Sequence, residues 1–324
     1  MKQPLYSLII PVYKNEKNIP ALLERVQELY VQVNHKLEAV FVVDCSPDRS
    51  YELLQRDLPS CDFPSQIMIL SRNCGSPTAF RTGLAVAKGK YFAAMSADLQ
   101  EPAELIQQFF QAMDKGDCDI AVGKRTGRDD PFCSKWSANF FWLIYKKLVQ
   151  PDMPSGGIDS VCFNEKVRDA ILALKESNTS LPGQLIWLGF RRKEIPYKRK
   201  ARKIGKSSWT FLRKVRYMLD SIFSFTDLPI TCIIVLGCLG LLVSMALALN
   251  ALAAWYLGNT IPGYTTLILL LLFLFSLVLI SLGIIGNYIW RAYENTKNRP
   301  MYILMQQESF PGKAPTEQTL KQNP

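Results

Sequence analysis

From residue 228 to residue 290 the chain carries no Asp, Glu, Lys or Arg. No other feature restricts its fold as strongly, because an apolar stretch of that length cannot be spread over the surface of a water-soluble domain. It divides into two blocks, Ile230 to about Leu257 and Tyr264 to about Ile289, separated by Gly258, Asn259, Pro262 and Gly263. Each block exceeds the ~20 residues that an α-helix needs to cross a hydrocarbon core of about 30 Å. Two transmembrane helices joined by a short turn are expected. The competing arrangement, a helical hairpin buried in a soluble core, would need a much larger domain to cover it.

The basic residues orient this hairpin. Between Arg191 and Arg216 there are twelve Lys and Arg, the linker between the apolar blocks has none, and Arg291, Lys297 and Arg299 follow the second block. Short loops rich in Lys and Arg stay on the cytoplasmic side, so both termini and the first 227 residues are expected in the cytoplasm. The N-terminus leads into only a strand-length apolar run, Leu5 to Val12, without a small-residue cleavage site, which is not a signal-peptide pattern. The domain boundaries expected are 1–208 for a cytoplasmic domain, 209–227 for a juxtamembrane helix, 228–290 for the two spans and 291–324 for a tail. From about Gln306 the sequence is polar and Pro-containing, which predicts mobility there.

Eight cysteines, at 45, 61, 74, 118, 133, 162, 232 and 238, form no C-x-x-C pair, and His35 is the one histidine. No zinc-ligand set exists, and in a reducing compartment the cysteines read as small apolar residues. His35 sits in a loop-like stretch and is expected to be exposed. Mechanisms that need a catalytic imidazole are thereby excluded.

Before the apolar run, strands alternate with helices. Leu5 to Val12 reads as a buried strand, Ile19 to Gln32 as an amphipathic helix, and Leu37 to Val43 as a second strand ending at Asp44. A helix from about Ser50, a strand Gln66 to Leu70, a helix from about Thr78 to Lys88 and a strand Tyr91 to Met95 continue the pattern. This alternation predicts an α/β domain with a mostly parallel sheet covered on both faces. Ligands of such sheets bind beyond the carboxyl ends of the strands, where Pro11 to Glu16, Asp44 and Asp98 fall.

Several ordered segments resemble family 2 glycosyltransferases over residues 5 to about 226. They are Pro11-Val12-Tyr13-Lys14-Asn15-Glu16, Val43-Asp44-Cys45-Ser46-Pro47-Asp48, Ser71-Arg72-Asn73-Cys74-Gly75, Arg81-Thr82-Gly83-Leu84, Ser96-Ala97-Asp98-Leu99-Gln100-Glu101-Pro102, Gly123-Lys124-Arg125 and Gly156-Gly157-Ile158-Asp159. With two C-terminal spans, the chain is similar to the polyprenyl-phosphate group of that family, which includes dolichol-phosphate mannose synthase and bacterial and bacteriophage glucosyl-lipid enzymes. The resemblance implies a GT-A fold, a nucleotide-sugar donor (a UDP-sugar), a divalent metal (Mg²⁺ or Mn²⁺), a polyprenyl-phosphate acceptor, a bacterial inner membrane and a homo-oligomer.

Residue by residue, it implies that Pro11, Tyr13, Asn15, Asp44, Arg81, Ala97 and Gln100 hold the nucleotide-sugar. Asp98 and Gln100 would bind the metal, Asp98 and Asp159 would be the catalytic carboxylates, Asp159 by positioning the sugar or the acceptor, and Arg125, Arg202 and Ser207 would receive the acceptor phosphate. Arg202 and Ser207 lie in Arg202-Lys203-Ile204-Gly205-Lys206-Ser207-Ser208-Trp209, which resembles the family's R-x-x-G-x-S-K-Y element. Arg128 and Lys135 are weaker candidates. Departures from the family include Ser96 in place of the first acid of D-x-D, Val43 for an Asp, Asn15 for an acid, Ser76 for His and Ser208 for Lys. Ser96 is therefore expected to be replaceable at small cost, and an Asp there to tighten metal binding.

Trp209, Leu212, Val215, Tyr217, Ile222 and Phe223 interleave with Arg213, Lys214 and Arg216, a basic amphipathic pattern suited to anionic headgroups. Its place beside a span favours membrane lipid over nucleic acid. Two other functions remain open: a membrane transferase that elongates a glycan, against which stands the absence of a Q-x-x-R-W element, and a non-catalytic module that binds sugar nucleotides.

Overall fold

The computed structural model of the protein describes residues 4–127, 146, 150–154, 158, 160–176, 180–199, 219–220, 222–257 and 263–313. The chain divides into two compact units, Met1–Val215 with Pro300–Pro324, and Arg216–Arg299.

The first unit is built on a mixed sheet. Its strands are β1 (Tyr6–Val12), β2 (Leu37–Val43), β3 (Ser65–Leu70), β4 (Tyr91–Ala94), β5 (Ile120–Gly127), β6 (Val161–Asn164), β7 (Arg192–Lys198) and β8 (Leu304–Phe310), in the order β7-β5-β6-β4-β1-β2-β3-β8. β1 to β4 are mutually parallel where they pair, and β6 and β8 run antiparallel to their neighbours. β5 and β7 pair in parallel. The helices are α1 (Ile19–Gln32), α2 (Ser50–Asp57), α3 (Ser76–Val86), α4 (Ala103–Asp114), α5 (Glu165–Ala173) and α6 (Leu181–Trp187).

β1 and β2 are apolar along their length except for Ser7 and Glu38, which are buried and hydrogen-bonded to each other (2.6 Å), because both faces of these strands are covered. Tyr6, Leu8, Ile10 and Val12 of β1, with Leu37, Ala39, Phe41 and Val43 of β2, join the core formed with α1, α2 and α4. The intervening Ile9, Val40 and Val42 face α3. A Cβ on Gly83 would lie 2.6 Å from Ile9 Cγ2 and 3.0 Å from Val42 Cγ2, so glycine there lets α3 approach the sheet.

The sheet opens where the chain changes direction. From β1 it proceeds outward to β2 and β3, then crosses back to β4 on the other side of β1. β4 pairs with β1 only from Tyr6 to Ile9, whereas β2 stays paired as far as Val12. Ile9 accepts from the Met95 N–H and Val12 from the Asp44 N–H, so alternate residues of β1 address opposite neighbours. By that alternation the N–H that Pro11 lacks would point toward β4, beyond the last β1–β4 pair. Pro11 thus removes a donor at the spot where the two strands part.

The C-terminal segment differs from the mobile tail expected from Gln306. Residues Leu304–Phe310 form β8, paired antiparallel with β3 from Ser65↔Phe310 to Leu70↔Leu304. Tyr51 Oη (2.6 Å) and Gln55 Nε2 (3.0 Å) donate to Glu308, and Gln307 Nε2 donates to Gln66 Oε1 (3.0 Å). The Glu308 carboxylate pushes the Tyr51 phenol up to about 12. The polar composition that suggested disorder is that of an edge strand, where alternate side chains face water. Residues 314–324 lie outside the described residues.

The second unit holds α7 (Leu228–Tyr256) and α8 (Tyr264–Thr296). At 1.5 Å per residue each exceeds a bilayer core of about 30 Å. Both are long and apolar enough to cross a membrane, and most of the described Leu, Ile, Val and Phe side chains along them are exposed, none of them buried. At the polar end of this unit Arg291 Nη2 donates to Asp220 Oδ1 (2.5 Å), and its Nε to Asn287 Oδ1 (3.1 Å). The Arg291 guanidinium also lies 5.3 Å from the Phe223 ring centre. The first charged residue after the apolar run is thereby held against the segment preceding it.

Candidate functional site

The loops that leave β1, β2 and β4 carry the residues expected to act, and all three leave the same edge of the sheet. Each contains a non-glycine residue in the left-handed region: Lys14 (φ 55°), Cys45 (φ 49°) and Leu99 (φ 59°). Such backbone is costly and persists where surrounding contacts over-determine it.

Those contacts are visible between the first two loops. Asp48 accepts from the Glu16 N–H (2.9 Å), Ser46 Oγ (2.6 Å) and Ser50 Oγ (2.7 Å). Burial pushes the Asp48 carboxyl up, but the hydrogen bonds from Ser46, Glu16 and Ser50 outweigh it and hold it below the usual range. The Lys14 N–H donates to Ser46 Oγ (2.7 Å), and the Asn15 N–H to Ser50 Oγ (3.2 Å). Asn15 also donates from Nδ2 to the Tyr13 carbonyl (2.9 Å) and accepts from Asn18 Nδ2 (3.0 Å), so it shapes this loop directly. Tyr13 is half-buried, with Lys14 Nζ 5.4 Å from its ring centre.

Asp44 is buried, 3% exposed. Its oxygens accept from the backbone N–H groups of Cys74 (2.7 Å) and Gly75 (2.8 Å), at the mouth of α3. Burial pushes its carboxyl up, and the two N–H donors partly hold it down. A carboxylate oxygen has two lone pairs, so this anchoring leaves acceptor capacity for a ligand while fixing the direction in which Asp44 can offer it.

The loop after β4 holds Asp98 half-buried, with the Gln100 N–H donating to Asp98 Oδ1 (3.3 Å). Ala97 is buried in the core and can offer a ligand only backbone. Ser96, at the degenerate D-x-D position, is engaged within its own loop. Its N–H (3.1 Å) and its hydroxyl both donate to Glu101 Oε2. Glu101 is 4% exposed, and burial pushes its carboxyl up; the Ser96 hydroxyl and Arg199 oppose that rise, while Asp98 adds to it.

From the other half of the sheet come two arginines. β5 and β7 are in register with Arg125 opposite Tyr197, and Arg199 follows β7. Arg199 Nη2 donates to Gln100 Oε1 at 2.5 Å, bringing β7 onto the Asp98 loop. Ser160 Oγ donates to the Ala94 carbonyl (3.3 Å) and its carbonyl accepts from the Gly123 N–H (2.9 Å), so the start of β6 reaches the same edge. Asp159, Arg128, Lys135, Arg202 and Ser207 lie outside the described residues.

Arg81 is engaged by backbone. Its Nη2 donates to the carbonyls of Ile171 (2.7 Å) and Leu174, satisfying orphan acceptors at the C-terminal end of α5. The structure gives it a helix-capping job at the end of α5. His35 is a correction: it is half-buried, its ring edge-on to Tyr30 at 4.9 Å, in the turn before β2 at the opposite edge of the sheet.

Among the described residues no three His, Cys, Asp or Glu come together as a metal cage. Asp98 and the Gln100 amide oxygen are oxygen donors of the kind that hard dications take. One carboxylate with substrate phosphates suffices for Mg²⁺, so the residues fit a cation completed by its ligand rather than one held by protein alone.

Sequence reasoning missed Asp48, Glu101 and Arg199. Asp48 and Glu101 each follow a strand-end acid by a few residues at the start of a helix, a signal that could have flagged them. Arg199 is one of twelve basic residues in its stretch, and only the β5–β7 pairing singles it out.

A model of glycosyl transferase family 2 matches residues 7–170. The chain is 32% identical to the glycosyltransferase YkcC of Bacillus subtilis over 92% of its own length and 93% of the relative's. It is 30% identical to a bactoprenol glucosyl transferase of Shigella phage SfII, over 92% and 96%. Among solved structures it is similar to the mannosyltransferase PcManGT of Pyrobaculum calidifontis, with 14% identity, a TM-score of 0.45 and coverage of 87% of this chain and 88% of that one.

Proposed function

The chain belongs to glycosyl transferase family 2 and is a glycosyltransferase, and from that premise we propose that it moves a sugar from a nucleotide-sugar, a UDP-sugar, onto polyprenyl phosphate at a membrane. The observation that carries this reading is the meeting of the Asp44, Asp98 and Arg199 loops at one sheet edge, in a chain that also has two bilayer-length helices. The relative named for bactoprenol, at 30% identity over nearly the whole chain, supports the acceptor class.

The acceptor phosphate oxygen attacks the anomeric carbon, the bond from that carbon to the diphosphate oxygen breaks, and the nucleoside diphosphate leaves with the electron pair. Configuration inverts. A phosphate monoester, with a second pKa of about 6, is already largely ionised at neutral pH, so no strong general base is required. The one histidine, at the far edge of the sheet, is consistent with that.

The demand is electrostatic: the departing diphosphate gains charge that must be stabilised. Asp98 and Gln100 would hold Mg²⁺ or Mn²⁺, which supplies charge neutralisation on the diphosphate. Pro11, Tyr13, Asn15 and Asp44 border the base and ribose in this reading, with Asp44 offering its free lone pairs to a base N–H. Arg125, Arg202 and Ser207 take the acceptor phosphate, and Asp159 positions the sugar or the acceptor. The hairpin of α7 and α8 keeps the domain where a lipid phosphate is presented, with both termini cytoplasmic.

The test incubates the purified full-length protein, with Mg²⁺ or Mn²⁺, with undecaprenyl phosphate and a panel of radiolabelled nucleotide sugars. A UDP-sugar should carry label into the organic phase. Label that stays aqueous with every donor would overturn the proposal.

A further inference from the structure

Arg199 has no assigned role, and its surroundings give it one. It is the first residue after β7, on the strand beside Arg125, so both arginines leave the sheet at the edge that carries Asp98. Its guanidinium is half-buried against the Asp98 loop through the single bond from Nη2 to Gln100 Oε1. Its Nε is buried and has no hydrogen-bond partner among the described residues. A guanidinium N–H withdrawn from water without an acceptor is costly. It marks a place that an acceptor group fills.

The chemistry of that acceptor follows from charge and shape. Gln100 is neutral and supplies no counter-charge, and Glu101, which Arg199 influences through space, is pushed by burial toward its protonated form, so an anion is the acceptor best suited to this guanidinium. The guanidinium presents its donors in a planar fork that matches phosphate oxygens, where a lysine would offer a point charge. Resting on the transferase reading above, we propose that Arg199 binds phosphate oxygens in the active site, those of the donor diphosphate or of the acceptor monoester. The Gln100 contact holds the side chain ready in the ligand-free protein.

Two substitutions separate this from a purely structural latch. Arg199→Gln keeps a neutral donor for Gln100 Oε1 and removes the charge. Arg199→Lys keeps the charge and gives up the fork. Full-length protein in detergent, with Mg²⁺ present, is titrated calorimetrically with UDP in one arm and farnesyl phosphate in the other. Arg199→Gln should weaken binding in at least one arm by about tenfold or more, the scale of one charge-assisted hydrogen bond. Arg199→Lys should bind at least about threefold tighter than Arg199→Gln in that arm. Loss confined to UDP assigns Arg199 to the donor diphosphate, loss confined to farnesyl phosphate assigns it to the acceptor, and loss in both makes it shared. If Arg199→Gln binds both ligands as the unaltered protein does, or Arg199→Lys is no better than Arg199→Gln, the assignment is overturned while the transferase reading stands. Unaltered protein that binds neither ligand overturns that reading, and this proposal with it.

Discussion

Ser96 illustrates how one neighbour changes the meaning of a residue. By its place in the sequence it is a metal ligand lost; in the fold it is the donor that satisfies a buried carboxylate, Glu101. An aspartate at 96 would set a second carboxylate where the Ser96 hydroxyl now donates. Ser96→Asp is therefore expected to lower the melting temperature by several degrees and to reduce transfer, rather than to tighten metal binding. Ser96→Ala, which removes one donor from a buried acceptor, should cost about 1–3 kcal/mol of stability. Asp98→Asn should leave melting nearly unchanged and lower transfer by orders of magnitude. Thermal unfolding and the organic-phase label assay, run side by side, separate these outcomes. A Ser96→Asp protein that melts normally and transfers faster would return Ser96 to the metal site. Glu101 itself predicts a pH effect. Burial raises its folded pKa above the unfolded value, so the stability it contributes is present below the unfolded pKa and is lost as pH rises through the folded one. The melting temperature of the unaltered protein should thus fall relative to that of Glu101→Gln as pH climbs from the ordinary glutamate range toward neutrality. Parallel melting curves across that range would contradict it.

At the scale of elements, the strands and helices from β1 to β4 are legible in the sequence because each obeys its own period. Helix α1 has the bounds expected, Ile19–Gln32, and β2 is apolar but for the buried Glu38 because α1, α2 and α4 cover one face and α3 the other. β8 is not legible: Met-Gln-Gln-Glu-Ser carries no apolar stripe, and its stability comes from hydrogen bonds to β3 and from Tyr51 and Gln55 on α2. The turn that ends β8 supplies a test. Gly312 has φ +72°, and a Cβ there would lie 2.5 Å from the Asp62 carbonyl oxygen and 2.8 Å from the Phe63 carbonyl carbon. Gly312→Val should therefore detach this end of the strand and destabilise the first unit by about 2–4 kcal/mol, through backbone strain and overpacking together. Hydrogen exchange should rise at the β3 amides that pair with β8. Unchanged exchange there would mean that the strand does not depend on this turn.

At the scale of the whole molecule, β8 bears on membrane topology independently of charge. The first unit takes in residues on both sides of the apolar segment, from β7 before it and β8 after it, and under the proposed membrane-spanning arrangement this requires both ends of the hairpin to lie on one side of the bilayer. A reporter active only outside the cytoplasm should score when inserted at Asn259 and fail when fused after Pro324, where β8 is left intact. Activity at the C-terminus with none at Asn259 would reverse the orientation. Such features divide by the range of the interactions behind them. The uncharged run, the alternation of strands and helices, and the acids at the strand ends are set by neighbours within a few residues, since hydropathy, helical period and turn chemistry are local. They were sufficient for the α/β class, the two apolar helices and the loops that form the site. The pairing of Glu101 with Ser96, the capture of Gln100 by Arg199, the capping role of Arg81 and the return of residues 304–310 to the edge of the sheet rest on hydrogen bonds and burial between parts of the chain that only folding brings together. Polar side chains take their roles from the partners they meet, and for all but the nearest of these the partner is chosen by strand order and register, which no local pattern encodes.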